Sequence, residues 1–122
     1  MIKIILFFLL PVALISQNTI SYQNLTPGTY NSYISKDLIP ITVGDVIEIG
    51  LPGNGDLFRF ITQGNTPAAS HITGATVTIS KLKVIGTAAT GYRMFAYFKG
   101  FGLLPVIINI DAALKTEEII IL

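Results

Sequence analysis

Beyond its first fifteen residues, no stretch of this chain runs more than eleven residues without a glycine, proline, asparagine or aspartate. Eleven glycines and six prolines punctuate 122 residues. Between them lie short runs of Ile, Val, Thr, Tyr and Phe, the residues that favour strands. Helices of ordinary length need ten or more uninterrupted residues with a 3.6-residue period. The punctuation therefore predicts many short strands joined by tight turns. Charged residues make up only 12% of the chain and apolar residues 51%. This excludes both a disordered segment and a coiled coil, which require abundant charge. There is no cysteine, so disulfides and thiolate metal sites are excluded.

The first residues break the pattern. Met1-Ile2-Lys3 is a basic head, Ile4 to Ile15 is apolar around Pro11, and Ser16-Gln17-Asn18 is polar. A basic head, about a dozen apolar residues and a small terminal residue describe a secretory signal peptide. The run is shorter than the roughly 20 residues of a bilayer-spanning helix. Residues 1–16 are read as a leader cleaved between Ser16 and Gln17, which sends the protein to the periplasm, the cell surface or the medium. Loss of Lys3 leaves seven basic against seven acidic residues, a neutral mature chain. Its apolar share falls to about 46%, ordinary for a globular domain. Low charge thus belongs to the mature domain, and excess hydrophobicity to the leader.

Residues 17–28 are polar and read as a flexible or edge-pairing lead-in. Residues 29–122 read as one β-domain. Thr29–Ile34 forms a first strand with Tyr30 and Tyr33. Ile39, Ile41 and Val43 alternate with Pro40 and Thr42; Pro40 lacks an N–H and assigns this strand to an edge or bulge. Val46–Ile49 follows Gly44-Asp45, with Ile47 and Ile49 inward. Gly50–Asp56 is a loop, read as a hairpin built on Asn54-Gly55 at positive φ. Leu57–Thr62 returns, with Phe58 and Phe60 on one side. Gln63–Ala75 lacks a pattern, and loops of that length often carry function. Thr76–Ile85 reads as one strand whose alternation slips, which a bulge near Ser80-Lys81 would restore. Tyr92–Phe98 is bulky on both faces and therefore central. Leu104–Ile110 is the last long strand. Asp111 then caps a short helix from Ala112 to about Glu118, and Ile119–Leu122 ends the chain as an apolar tail. The expected fold is all-β: a small barrel or sandwich of six or seven strands, Src-homology-3-like or OB-like, with a C-terminal helical turn.

Three segments carry a likeness: Ile41–Gly50, Ile85-Gly86-Thr87 through Gly91-Tyr92-Arg93, and Gly100-Phe101-Gly102 through Asp111-Ala112-Ala113-Leu114 to Glu118-Ile119. Across residues 29–119 the chain resembles small exported β-proteins of Bacteroidota-type bacteria. The resemblance implies export and a small barrel, and it brings no catalytic residues with it.

Chemistry-bearing residues are few. His71 is the single histidine, too little for an ordinary zinc shell unless carboxylates complete it. With Asp45 or Asp56 it is the starting point of one alternative, a small hydrolase or metal-dependent enzyme. No nucleophile elbow surrounds Ser70, and Gly50, Gly53 and Gly55 do not follow phosphate-loop spacing. Arg59, Lys81, Lys83, Arg93 and Lys99 interleave with Phe58, Phe60, Tyr92 and Tyr97, the composition of a single-strand nucleic-acid platform. A neutral domain lacks the basic excess such a platform needs. The leading expectation is an exported, non-enzymatic binding or assembly module without a cofactor. It engages a protein partner or itself through Asn54, Asp56, Asn65, His71, Ile119, Ile120 and Ile121. The apolar tail is suited to strand addition.

Overall fold

The computed structural model describes residues 19–99 and 101–122. The leader, its cleavage bond, residues 17 and 18, and Gly100 lie outside the described residues. In chain order the elements are β1 (Thr19–Ser21), β2 (Gly28–Tyr30), β3 (Ser32–Ile34), β4 (Pro40–Thr42), β5 (Val46–Ile49), β6 (Leu57–Gln63), β7 (Thr66–Ala69), β8 (Thr76–Thr78), β9 (Lys81–Thr87), β10 (Gly91–Phe98), β11 (Val106–Asn109), α1 (Ile110–Lys115) and β12 (Ile119–Ile121).

They form three sheets of order β1-β3-β4, β2-β9-β10-β11-β6-β7 and β12-β5-β8. All pairings are antiparallel except β1 with β3. Among the described residues the fold is all-β and sandwich-like, with one short C-terminal helix. It is not a closed barrel. Closure requires the first and last strands of a sheet to pair, and β2 and β7 at the ends of the large sheet do not.

One hydrophobic core draws on all three sheets: Tyr33 and Ile41, then Phe58, Ile61, Leu82, Met94, Phe98 and Ile108, then Ile47, Ile49 and Val77. The inward faces of the central strands follow the sequence alternation. Met94, Ala96 and Phe98 of β10 are buried, while Phe95 and Tyr97 are half-buried on the other side. The tail residue Ile119 and the helical Ile110 and Ala113 complete the same core.

The strands number twelve among the described residues, because the chain repeatedly changes sheet. The expected Thr29–Ile34 strand breaks at Asn31 into β2 and β3, which lie in different sheets. Thr76–Ile85 likewise does not run through a bulge. It breaks at Ile79-Ser80, where the Ser80 N–H and hydroxyl both donate to the Tyr97 carbonyl, at 2.8 and 2.9 Å. Before the break it is β8 of a small sheet, and after it β9 of the large one. Val77 and Ile79 pack on one parity and Leu82 and Val84 on the other, all buried. A sheet switch satisfies the same parity slip that a bulge would.

Gly50–Asp56 joins β5 and β6, which do not pair, so it is a crossover between sheets. The tight turn is Asn54–Leu57, closed by reciprocal backbone bonds of 3.1 Å; of the expected Asn54-Gly55 pair only Gly55 takes positive φ, 67°. Gln63–Ala75 contains a hairpin. Gly64 and Asn65 both take positive φ (61° and 64°), as a type I′ turn demands, and lead into β7. Pro67 is accommodated because β7 is an edge strand. Pro40 sits on edge strand β4 for the same reason.

Candidate functional site

The C-terminal segment makes long-range side-chain bonds to two other parts of the fold. Helix α1 begins at Ile110, with Asn109 as N-cap and no side-chain capping bond. Asp111 therefore does not cap it. Its carboxylate reaches across to the first small sheet, taking the Tyr33 hydroxyl at 2.5 Å and the Lys36 N–H at 2.8 Å. Burial raises the Tyr33 phenol well above its usual range, and the bond to Asp111 and its negative charge raise it further.

The helix ends at Lys115 rather than Glu118, in a Schellman arrangement. The Glu118 N–H donates to Ala113 and the Glu117 N–H to Leu114, at 2.9 and 3.2 Å. Glu117 occupies the left-handed position, φ 61°, where glycine is usual. That turn aims Glu118 inward. Its side chain is fully buried, and its carboxylate accepts three backbone N–H groups: Gly53 at 2.6 Å and Arg59 at 2.8 Å on Oε2, and Phe60 at 2.8 Å on Oε1.

Adjacent N–H groups of a regular strand point to opposite edges. Arg59 and Phe60 both point to Glu118, so β6 bulges there. The β6–β7 register shifts between Leu57 and Thr62 accordingly. This is why Phe58 and Ile61, of opposite parity, are both buried while Phe60 is half-exposed. The expected pairing of Phe58 with Phe60 on one face is overturned by a carboxylate fifty-eight residues away.

Past Glu118 the chain enters β12, which pairs Ile119, Ile120 and Ile121 with Ile49, Glu48 and Ile47. Gly50 must be glycine for this approach, since a Cβ there would lie 2.1 Å from the Glu117 carbonyl oxygen. The Gly50 N–H donates to the Glu118 carbonyl, whereas Ile49 bonds on its other side to Gly74 and Ala75. Antiparallel alternation then turns the backbone groups of Ile120 toward β5 and those of Ile119 and Ile121 away from it. Among the described residues, no strand lies on that outer side of β12. Ile119 is buried, but Ile120 and Ile121 are 40% and 39% exposed and Leu122 is 68% exposed.

Two clefts flank this edge. One, of about 500 Å³, is lined by Glu48, Leu51, Thr73, Gly74, Glu117 and Ile120 among others. The other, of about 280 Å³, lies among Pro40, Asp45, Val46, Ile47, Ile121 and Leu122. The start of the Gly50–Asp56 loop, the end of the Gln63–Ala75 segment and the chain terminus thus meet at one place.

The remaining sequence candidates lie elsewhere on those segments. Asn54 is exposed and bridges to Leu57; Asp56 is exposed and its carbonyl accepts the Ser70 N–H at 2.9 Å. Asn65 is exposed at its hairpin tip, and His71 is exposed on a 3₁₀ turn, Ser70–Ile72. Among the described residues no group of three or more His, Cys, Asp or Glu side chains is placed to hold a metal ion. Nor is any helix among them long and apolar enough to cross a membrane. Of the basic and aromatic set, Phe58 is buried in the core, Lys81 lies over the Tyr97 ring at 4.3 Å and Arg59 over Phe60 at 5.4 Å.

Glu118 and Asp111 were not among the sequence candidates. No local signal marks Glu118 for burial, since the donors it serves lie fifty-eight to sixty-five residues away in sequence. In comparisons with protein-family models, curated proteins and solved structures, nothing matches the chain.

Proposed function

We propose that the protein is an exported, non-enzymatic β-domain that binds a protein partner by strand addition along β12. The observation that carries this reading is the outer edge of β12. Its Ile121 backbone groups face away from the sheet, beside the exposed side chains of Ile120, Ile121 and Leu122. Exposed apolar edges are templates for pairing, and soluble proteins ordinarily blunt them. Main-chain bonds would supply affinity and the flanking clefts selectivity. Glu48 and Glu117 line the larger cleft, and among the described residues no basic residue does. The occupant is therefore an extended apolar segment carrying a lysine or arginine. Two copies of this chain would instead bring their own carboxylates together, which disfavours self-pairing at this edge.

The test uses fluorescence polarisation with hexapeptides of alternating valine and threonine, flanked by lysine or by glutamate. The lysine-flanked peptide should bind at least tenfold more tightly. Ile121→Pro removes an outward N–H while leaving the ladder to β5 intact, and it should abolish binding with no change in circular dichroism. Unaltered binding by this variant refutes the edge as the site. A concentration-dependent dimer that Ile121→Pro disperses refutes the partner in favour of a second copy. Export is tested separately by mass spectrometry: a mature N-terminus at Gln17 supports it, and an intact Met1 overturns it.

A further inference from the structure

A third cleft, away from β12, is chemically unlike the two that flank that strand. It holds about 310 Å³ and is lined by Tyr22, Thr90, Tyr92, Arg93, Asn109 and Asp111 among others. Its floor is fixed. Asp111 is locked by the Tyr33 hydroxyl and the Lys36 N–H, one on each oxygen. Each oxygen keeps a further lone pair. Asn109 is held by the β10–β11 ladder opposite Phe95, and its amide makes no capping bond to the helix it precedes. Tyr22 is 39% exposed and carries the Lys36 ammonium 5.9 Å from its ring centre. Tyr92 is half-buried and Arg93 exposed.

These groups discriminate among ligand classes. A simple anion would meet the Asp111 carboxylate, and a simple cation would meet Arg93 and Lys36. A neutral polyhydroxylated ligand needs both donors and acceptors, and finds them in the Arg93 guanidinium, the Asn109 amide, the Asp111 carboxylate and the Tyr22 hydroxyl. Tyrosine rings supply apolar faces that end in a polar tip, suited to the C–H face of a sugar ring. The volume lies at the lower end of the range for small-molecule sites.

We infer that this cleft is a saccharide-binding site, taking one or two sugar units, with Asp111, Asn109 and Arg93 as hydrogen-bonding groups and the exposed Tyr22 ring as its apolar wall. It is independent of the β12 edge, with which it shares no lining residue.

The experiment probes the mature protein on an immobilised array of microbial and plant glycans. The strongest binders are then titrated as free oligosaccharides, followed by amide chemical shifts, with glycerol and glycylglycine as controls. Saturable shifts should centre on Tyr92, Arg93 and Asn109. Arg93→Ala, an exposed change that spares the core, and Asn109→Ala should each weaken binding at least tenfold. Lys99→Ala, outside the cleft, should leave binding unchanged, as should Ile121→Pro. No saturable saccharide binding at these residues up to about 10 mM, the weak end of useful affinity, overturns the inference. So does saturation by glycylglycine at the same residues, which would make the cleft a zwitterion site using Arg93 and Asp111 as opposite poles. Saccharide binding that Arg93→Ala and Asn109→Ala both leave intact, with their spectra otherwise native, overturns it as well.

Discussion

Removing the Glu118 carboxylate should cost the domain a large part of its stability. The side chain is fully buried and accepts N–H groups from Gly53, Arg59 and Phe60 at 2.6, 2.8 and 2.8 Å. Hydrogen bonds to a charged group contribute about 1.5–3 kcal/mol each, and a buried donor left without a partner costs about 1–3 kcal/mol. The three bonds share one carboxylate and do not add independently. Water can also reach the exposed loop at Gly53. About 4 kcal/mol is therefore the expected loss for Glu118→Ala, against a total of about 5–15 kcal/mol for a domain of this kind. At about 4–8 °C per kcal/mol, the midpoint should fall by roughly 15–30 °C. Glu118→Gln keeps the shape. Its carbonyl oxygen can serve the Gly53 and Arg59 pair, but its NH₂ then meets the Phe60 N–H, donor against donor. Its expected loss is about 2 kcal/mol. Urea melts followed by circular dichroism measure both, with equal m-values checking that the unfolded states are comparable. A Glu118→Ala loss under about 1 kcal/mol would show that the carboxylate does not hold β6 to the C-terminus. Glu118→Gln matching the parent would show that acceptor geometry is not what matters.

Three further outcomes follow from neighbouring contacts. Gly50→Ala forces a Cβ to within 2.1 Å of the Glu117 carbonyl oxygen, so β12 must move away. A loss of about 3 kcal/mol is expected in the same melts, and a neutral result would mean that the approach of the two chains is looser than described. Glu117→Gly relieves a left-handed residue that costs about 1–2 kcal/mol, offset by about 0.5–1 kcal/mol of glycine entropy. The variant should melt higher, by about 0.5–1 kcal/mol, and a lower midpoint would refute strain at this turn. The Tyr33 phenol, raised by burial and by Asp111, stays protonated in the folded chain where the unfolded phenol ionises near pH 10. Above that pH the unfolded state binds fewer protons, so stability should fall with rising pH, by at most about 1.4 kcal/mol per unit from this group. Tyr33→Phe should flatten that decline while losing about 1 kcal/mol at pH 7. An unchanged alkaline slope would remove Tyr33 as its source.

Local chemistry was legible in the sequence wherever the cause was local. Pro40 marked an edge strand because it has no N–H to give. Met94, Ala96 and Phe98 shared one face of a central strand because side chains alternate along a strand, but with bulky residues on both faces only the structure shows that this face is the inner one. Ile47 and Ile49 were inward by the same alternation. The Gly64-Asn65 hairpin was equally local and could have been read. It was hidden by the Pro67 and the two alanines that follow, which make β7 a poor strand by composition and an acceptable one only at an edge.

The sequence by itself determined an all-β chain of low charge with turns at set places, since glycine, proline and β-branched residues act on their own backbone. It could not determine which sheet each strand joins. A break at Asn31 or Ser80 looks the same in sequence as a bulge, because both slip the alternation by one. Nor could it show that Glu118, read as the end of a helix, is the group on which β6 bulges and the Gly50–Asp56 crossover rests. That follows from contacts across fifty-eight to sixty-five residues. Only the tertiary structure brings the far donors to the carboxylate, and only burial makes their pairing obligatory.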